Sequence, residues 1–401
     1  MLSRVRGCIL PDKERKTIMK ELTSSIPDFE KLIKEGYLYV DKTEYIWKLI
    51  KKPFESYFMI RPWHFGKTLT ISTLEAVFQG KRDLFKGLAI YDKPYDWKEY
   101  PIIRLDMGKG DYSTMDLYEK SLCNIVQESA GKNGLVLKHS SSHDMFSELF
   151  YLIDKQRKVV VLIDDYDKPF LDSLGKPHAL EVQKSIRSFY SIVKAENAKE
   201  RFVLVTGTTS FFLADSLAGG LNNLLDVSMY STYATMYGYT QDEIESYYGP
   251  QIDNAAREMN MPREEFIDKL KEWYGGFLFE EDCDPVYNPK SISQFFDSPK
   301  FEFRRFWNPK GIPVCLFEKY KSYSLMSKKT ISEETTIMCP SEVQCIETTS
   351  LLLQMGFLTI DCSRPIRHFG MSIYPVKIPN IEAKQAFEEK MSEVKPVDVS
   401  Q

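Results

Sequence analysis

Two stretches of this chain are apolar at every position. Lys158-Val-Val-Val-Leu-Ile-Asp164-Asp165 runs into two carboxylates, and Arg201-Phe-Val-Leu-Val-Thr206-Gly207 ends on a small polar pair. Without polar alternation, both predict strands buried on two faces, as in a parallel sheet. Runs at 57–60 and 101–106 predict two more strands, and 224–229 a further one. Helical spacing of apolar residues lies between them: 67–79, closed by Gly80, then 113–130, 143–156 and 178–197. Ahead of these, Phe29, Leu32 and Ile33 fit one helix, and 37–40 a short strand. Asp41-Lys-Thr43 opens another helix, with Ile46, Leu49 and Ile50 inward. Strand alternating with helix at these lengths predicts an α/β fold, a parallel sheet with helices on both faces.

After about 235 the pattern turns mainly helical, at 240–248, 251–259, 262–274, 290–297, 313–322 and 340–354. Turn signals intervene at Gly275-Gly276, Asp284-Pro285 and Asn288-Pro289. Residues 357–361 and 372–378 pair as a predicted hairpin. The expected organisation is a leader over 1–25, a core domain over 26–235, a helical region over 236–390, and a disordered polar tail over 391–401.

Ligands of parallel sheets bind beyond the carboxyl ends of the strands. Three strand ends carry chemistry. The first is Arg61-Pro-Trp-His-Phe-Gly66-Lys67-Thr68-Leu69, between a strand and a helix. Gly-Lys-Thr there is the heart of a phosphate-binding loop, in which N–H groups at a helix start cradle phosphate oxygens. The lysine reaches the terminal phosphates and the hydroxyl ligates magnesium. Arg61, Phe65, Gly66, Lys67, Thr68 and Leu69 are the candidate nucleotide-binding residues. Arg61 either contacts phosphate or pairs structurally with an acid; the usual pattern has glycine there. Asp164, fixed at the end of a hydrophobic strand, is with Thr68 the candidate magnesium ligand. Asp165 is the candidate for polarising the attacking water, and Lys67 for the catalytic cation. Asp167 reads as a turn or capping residue. Thr206 either senses the γ-phosphate or starts a turn.

Composition narrows the rest. The chain has 401 residues, a net charge of −4 and no membrane-length apolar run, so neither nucleic acid nor a membrane is the expected partner. Seven scattered cysteines without a C-x-x-C pair argue for reduced thiols and a cytoplasmic setting. Glu382-Ala-Lys384 is a formal nuclease half-motif, but it follows Pro379-Asn380 at a predicted helix start rather than a strand.

With these motifs in view, the chain resembles the AAA-ATPase-like proteins over about 26–387. The resemblance rests on Tyr39-Val-Asp-Lys-Thr43, the loop 61–68, Leu84-Phe-Lys-Gly-Leu88 and Val161-Leu-Ile-Asp-Asp-Tyr-Asp-Lys-Pro169. Further on it includes Thr206-Gly207, Leu221-Asn-Asn-Leu224, Gly238-Tyr-Thr240, Trp273-Tyr-Gly-Gly276, Tyr287-Asn-Pro289 and Pro379-Asn-Ile-Glu382. It implies a P-loop NTPase fold of the ASCE type, ATP with Mg2+ as ligands, and arginine as the family's own choice at Arg61. A C-terminal nuclease domain is often fused in such proteins and is expected to be absent here. The chain departs from the resemblance at Trp63 and His64, where two arginines are usual, and at Asp165, where glutamate is usual. The expected function is ATP binding with slow magnesium-dependent hydrolysis or a nucleotide switch. The alternative is a degenerate, non-hydrolysing interaction scaffold with an unknown protein partner or with its own copies.

Overall fold

The computed structural model describes residues 21–22, 26–153, 157–210, 221, 223–308, 317, 330–332, 348–362, 366–368 and 371–394. Five strands form one sheet: β1 (Glu55–Ile60), β2 (Ile102–Asp106), β3 (Val159–Asp164), β4 (Glu200–Gly207) and β5 (Leu225–Asp226). Their order is β2-β3-β4-β1-β5, and every pairing is parallel. The two wholly apolar strands, β3 and β4, lie side by side in the interior and are buried at every position.

Strand alternation divides the core between the two faces. Val160, Leu162, Phe202 and Leu204 point to one face, where Phe29 of α1 (Phe29–Lys34), Leu49 of α2 (Thr43–Ile50) and Leu74 of α3 (Lys67–Phe78) cover them. Val161, Ile163, Val203 and Val205 point to the other. There they meet Leu122 of α4 (Met115–Lys132), Phe146 of α5 (Ser142–Leu152) and Ile186 of α7 (Ala179–Ala195). A short α6 (Lys168–Ser173) follows β3.

Beyond 235, α8 (Gln241–Glu258), α9 (Arg263–Tyr274) and α10 (Pro289–Asp297) build a third core around Ile244, Phe266 and Phe295. Later elements return to the sheet. Leu351 and Leu352 of α11 (Thr348–Gln354) and Ala383 of α12 (Ile381–Glu393) join the same cluster as Phe58 and Val205. Ser210, just past β4, donates its N–H to Gln354 Oε1 at 3.1 Å.

Several local expectations need correction. Residues 37–40 form no strand; Leu38 N–H bonds to the Glu21 carbonyl at 2.9 Å. Tyr39 packs into the core over β1 and Val40 into the third core, so the segment bridges two helix-lined clusters instead of joining a sheet. The predicted pair 240–248 and 251–259 is one helix with Pro250 inside it. Proline removes one backbone bond there, but the buried face of Tyr248, Ile252 and Ala255 continues across it. The 224–229 strand shrinks to two residues. Residues 1–20, most of 313–322 and all of 340–347 lie outside the described residues, as does the tail from 395. The expected hairpin is replaced by a small four-stranded sheet: β6 (Thr359–Ile360) does run antiparallel to β7 (Met371–Lys377), with Thr359 opposite Lys377, but 366–368 comes between them in sequence and pairs with β7, as does 330–332.

Glu382 explains the nuclease-like tripeptide. Its buried carboxylate accepts the N–H groups of Phe306 and Trp307 at 2.6 and 2.7 Å and the Ser291 hydroxyl at 2.7 Å. Lys384 is exposed. The carboxylate is thus a tie between α10, the chain at 306–307 and α12. Glu382→Ala strands two buried donors and one half-buried donor and is expected to lower the thermal midpoint by roughly 3–6 °C. Calorimetry checks this; an unchanged midpoint would remove Glu382 from the structural role.

Candidate active site at the carboxyl edge of the sheet

The turn between β1 and α3 is set by two positive φ angles, 71° at His64 and 96° at Gly66. Gly66 takes its value without a Cβ penalty and serves as the N-cap of α3. It has no side chain to bond the first-turn amides, and none is bonded by a cap. Helix α3 therefore turns open N–H groups and its positive dipole end toward the space in front of it.

Lys67 is only 6% exposed, and its Nζ donates to the carbonyls of Arg61 (3.0 Å) and Pro62 (3.2 Å). Both partners are neutral. The loop thus wraps its own lysine without cancelling the charge. Phe65 fixes the loop from below, edge-on to Phe277 at 4.9 Å and Phe279 at 5.5 Å between ring centroids.

Two strands away, Asp164 ends β3 with 1% exposure. Its Oδ1 accepts the Thr206 hydroxyl at 2.9 Å and the Asp165 N–H at 3.1 Å. Its Oδ2 is buried and has no partner. A buried carboxylate oxygen left open is costly unless something else satisfies it. Asp165 follows in a left-handed backbone with φ 48°. Burial, with Asp164, Asp167 and Asp106 as like charges, pushes its carboxyl up to about 7, while Lys67 pulls the other way. Asp106 stands opposite Asp164 in the ladder, and its own carboxyl is raised, first by burial and then by Asp164.

A cavity of about 510 Å³ is lined by Gly66, Lys67, Thr68, Leu69 and Asp165, whereas Asp164 stands behind Asp165 and outside the lining. That volume suits a nucleotide-sized ligand. Its far wall is apolar and aromatic, with Ile26, Tyr39, Val40, Tyr237 and Tyr239. Sequence reasoning missed this wall. The motifs 39–43 and 238–240 were visible, but nothing in them spelled a chemical role.

Some expected ligands sit elsewhere. The Arg61 guanidinium donates to the carbonyls of Ile60 (2.8 Å), Ser228 (2.8 Å) and Tyr233 (3.2 Å), and lies 4.3 Å from the Phe279 ring centroid. It faces no phosphate space, and the cavity is lined without it. Burial lowers its proton affinity to about 10, so it remains charged at neutral pH. Thr206 is fully buried and orients Asp164 instead of lining the cavity. Asp167 is the N-cap residue of α6, but its side chain bonds no amide of that helix; its carboxylate takes the N–H groups of Thr208 and Thr209 and the Thr209 hydroxyl.

A family model described as predicted AAA-ATPase matches residues 24–217. The chain is also similar to an uncharacterized protein in the vnfD 5′ region of Azotobacter chroococcum mcd 1. The two are 31% identical over 382 residues, 93% of this chain and 70% of that protein. The chain belongs to the predicted AAA-ATPase family. Membership supports nucleotide binding, with ATP as the nucleotide. The segment matched to the AAA-ATPase family carries Lys67, Thr68, Asp164 and Asp165, whereas the wall at 236–239 lies beyond it. Among the described residues, no helix is long and apolar enough to cross a membrane.

The Asp165 carboxyl makes stability depend on pH. Its folded affinity for a proton, near pH 7, exceeds the ordinary value of 3.8, so this group's contribution is full below about pH 4 and is lost as pH rises toward 7. In magnesium-free buffer, wild type is expected to lose on the order of 2–3 kcal/mol relative to Asp165→Asn between pH 5 and 8. Urea denaturation at each pH measures the difference. Parallel curves would give Asp165 an ordinary carboxyl.

Proposed function

We propose that this protein binds ATP as its magnesium complex and hydrolyses it slowly, acting as a nucleotide-dependent switch. One observation carries the reading: the uncapped start of α3 with Lys67 and the open Oδ2 of Asp164 lie at the same carboxyl edge of one parallel sheet. The donor set suits the ligand. Amides of α3 and the Lys67 ammonium would hold phosphate oxygens. Thr68 and Asp164 would hold magnesium. Two oxygen ligands from the protein suit magnesium, which keeps waters and substrate phosphates as most of its ligands. Held there, magnesium would supply positive charge to offset the charge that develops on the phosphates.

Asp165 would act on the water. A carboxylate whose proton affinity lies near the working pH suits a general base. Attack of water on the γ-phosphorus breaks the bond to the β-bridging oxygen, yields ADP and phosphate, and leaves the water's proton on Asp165. Aspartate is one methylene shorter than the glutamate of the family pattern. Misplacement of a base by about 1 Å costs on the order of a hundredfold in rate, hence the slow turnover. The same shortening, with Trp63 and His64 in the loop, favours the second reading, a scaffold that holds nucleotide without hydrolysis and docks a protein partner or another copy. The proposed setting is the cytoplasm, on the scattered cysteines without a C-x-x-C pair.

Calorimetric titration with Mg-ATP and a phosphate-release assay test both readings. Wild type is expected to bind and to turn over slowly. Lys67→Ala weakens binding itself. Asp165→Glu raises turnover with little change in affinity. Brisk wild-type turnover that survives Asp165→Ala would place the water elsewhere, and binding without any turnover in wild type and Asp165→Glu favours the scaffold.

A further inference from the structure

A second cavity, of about 50 Å³, lies between the end of β1, the chain at 228–229 and 278–279, and α11. Arg61 and Pro62 line it, and theirs are the carbonyls that hold Lys67. Lys67 itself lines only the large cavity. Most of the wall is apolar, Phe279 and Leu353 included. Met229 and Leu353 are half-buried and set the mouth toward solvent, whereas Arg61, Ser228 and Gln354 are buried.

The buried polar groups of this lining are mainly donors. Arg61 is 2% exposed and stays charged at neutral pH. Its two terminal nitrogens donate to the carbonyls of Ile60, Ser228 and Tyr233, but its Nε is buried and bonds nothing. All three partners are neutral, and among the described residues no carboxylate forms an ion pair with the guanidinium. Asp226 attracts it through space and commits Oδ1 to the Ser228 N–H at 2.9 Å. Ser228 Oγ accepts the Ile60 N–H at 3.0 Å, which leaves the hydroxyl proton to donate. The Gln354 amide is already engaged: Oε1 accepts the Ser210 N–H and Nε2 donates to the Ser210 hydroxyl, at 3.1 Å each. The cavity thus offers a positive charge and donors, while its amide oxygen is taken. A water there would find few further partners among the apolar walls. A buried charge without a counter-charge is costly, and an anion would relieve it.

We propose that this cavity is a binding site for a small monovalent anion, chloride or a short carboxylate, held by Arg61 Nε and the Ser228 hydroxyl. The site is separate from the large cavity and stands independently of the nucleotide reading. The bound anion offsets the guanidinium charge and steadies Arg61 and Pro62. Those residues give their carbonyls to Lys67, so occupancy firms the mount of the loop lysine from outside the large cavity.

The experiment combines chloride NMR line broadening with thermal midpoints at constant ionic strength, in about 0.2 M sodium chloride, acetate or gluconate. Gluconate is the anion too bulky for the cavity. Arg61→Met removes the charge, Leu353→Trp fills the mouth, and Lys67→Ala removes the cation of the large cavity. Wild type is expected to broaden the chloride line. Its chloride-minus-gluconate difference in midpoint should be about 2–4 °C larger than that of Leu353→Trp. Acetate that abolishes the broadening shows that carboxylates share the site, and acetate without effect shows a halide site. The broadening should survive Lys67→Ala and disappear in both Arg61→Met and Leu353→Trp; either of these two that folds is enough to decide. No broadening in wild type, broadening that persists in a folded Arg61→Met or Leu353→Trp, or broadening that is lost in Lys67→Ala would overturn the assignment.

Discussion

The open amino end of α3 is the constraint around which the site is arranged. A helix that begins without a side-chain cap leaves its first N–H groups to find partners elsewhere. Here Gly66 supplies the left-handed turn and nothing more. Polar or charged capping side chains would fill the space that the loop leaves open. The cost is tolerable because α3 is held otherwise. It is buried around most of its circumference, with Ile71, Leu74, Val77 and Phe78 against the sheet and Ser72 accepting the Phe29 N–H at 2.9 Å. Packing, rather than capping, keeps this helix in place.

The strand order supplies the second half of the arrangement. β4 lies between the loop strand β1 and the carboxylate strand β3. Thr206 on β4 can therefore hold Asp164 from the side that faces the loop strand, leaving one carboxylate oxygen open. Elements from distant parts of the chain brace this edge. Phe277 and Phe279 support Phe65, the Ser228 and Tyr233 carbonyls hold Arg61, and Gln354 holds Ser210 beyond β4. The loop is thus coupled physically to the chain on both sides of 235.

Much of the sheet was legible because β3 and β4 are apolar without alternation, a pattern that fits few other settings. Asp164 and Asp165 were located by the end of the apolar β3, and Lys67 and Thr68 by Gly-Lys-Thr at the start of a helix. Arg61 and Thr206 were located in sequence, but their orientation was not. A guanidinium inside a loop can face the ligand or the protein, and only the carbonyls at 228 and 233, far along the chain, decide it. The strand expected at 37–40 failed because apolar residues can bury against helices as readily as in a ladder. Pro250 was read as a break, yet tertiary packing carried the helix through it. The aromatic wall was invisible because it is assembled from segments some 200 positions apart, as Tyr39 and Tyr239 show, and each segment alone reads as ordinary core.

Hydrogen–deuterium exchange of the backbone amides at 66–70, with and without Mg-ATP, tests the central claim most directly. If the open amino end of α3 is where phosphate binds, these amides are expected to gain protection on adding Mg-ATP, and Lys67→Ala is expected to diminish the gain. Protection that develops elsewhere in the chain while 66–70 exchanges unchanged at saturating nucleotide would contradict it.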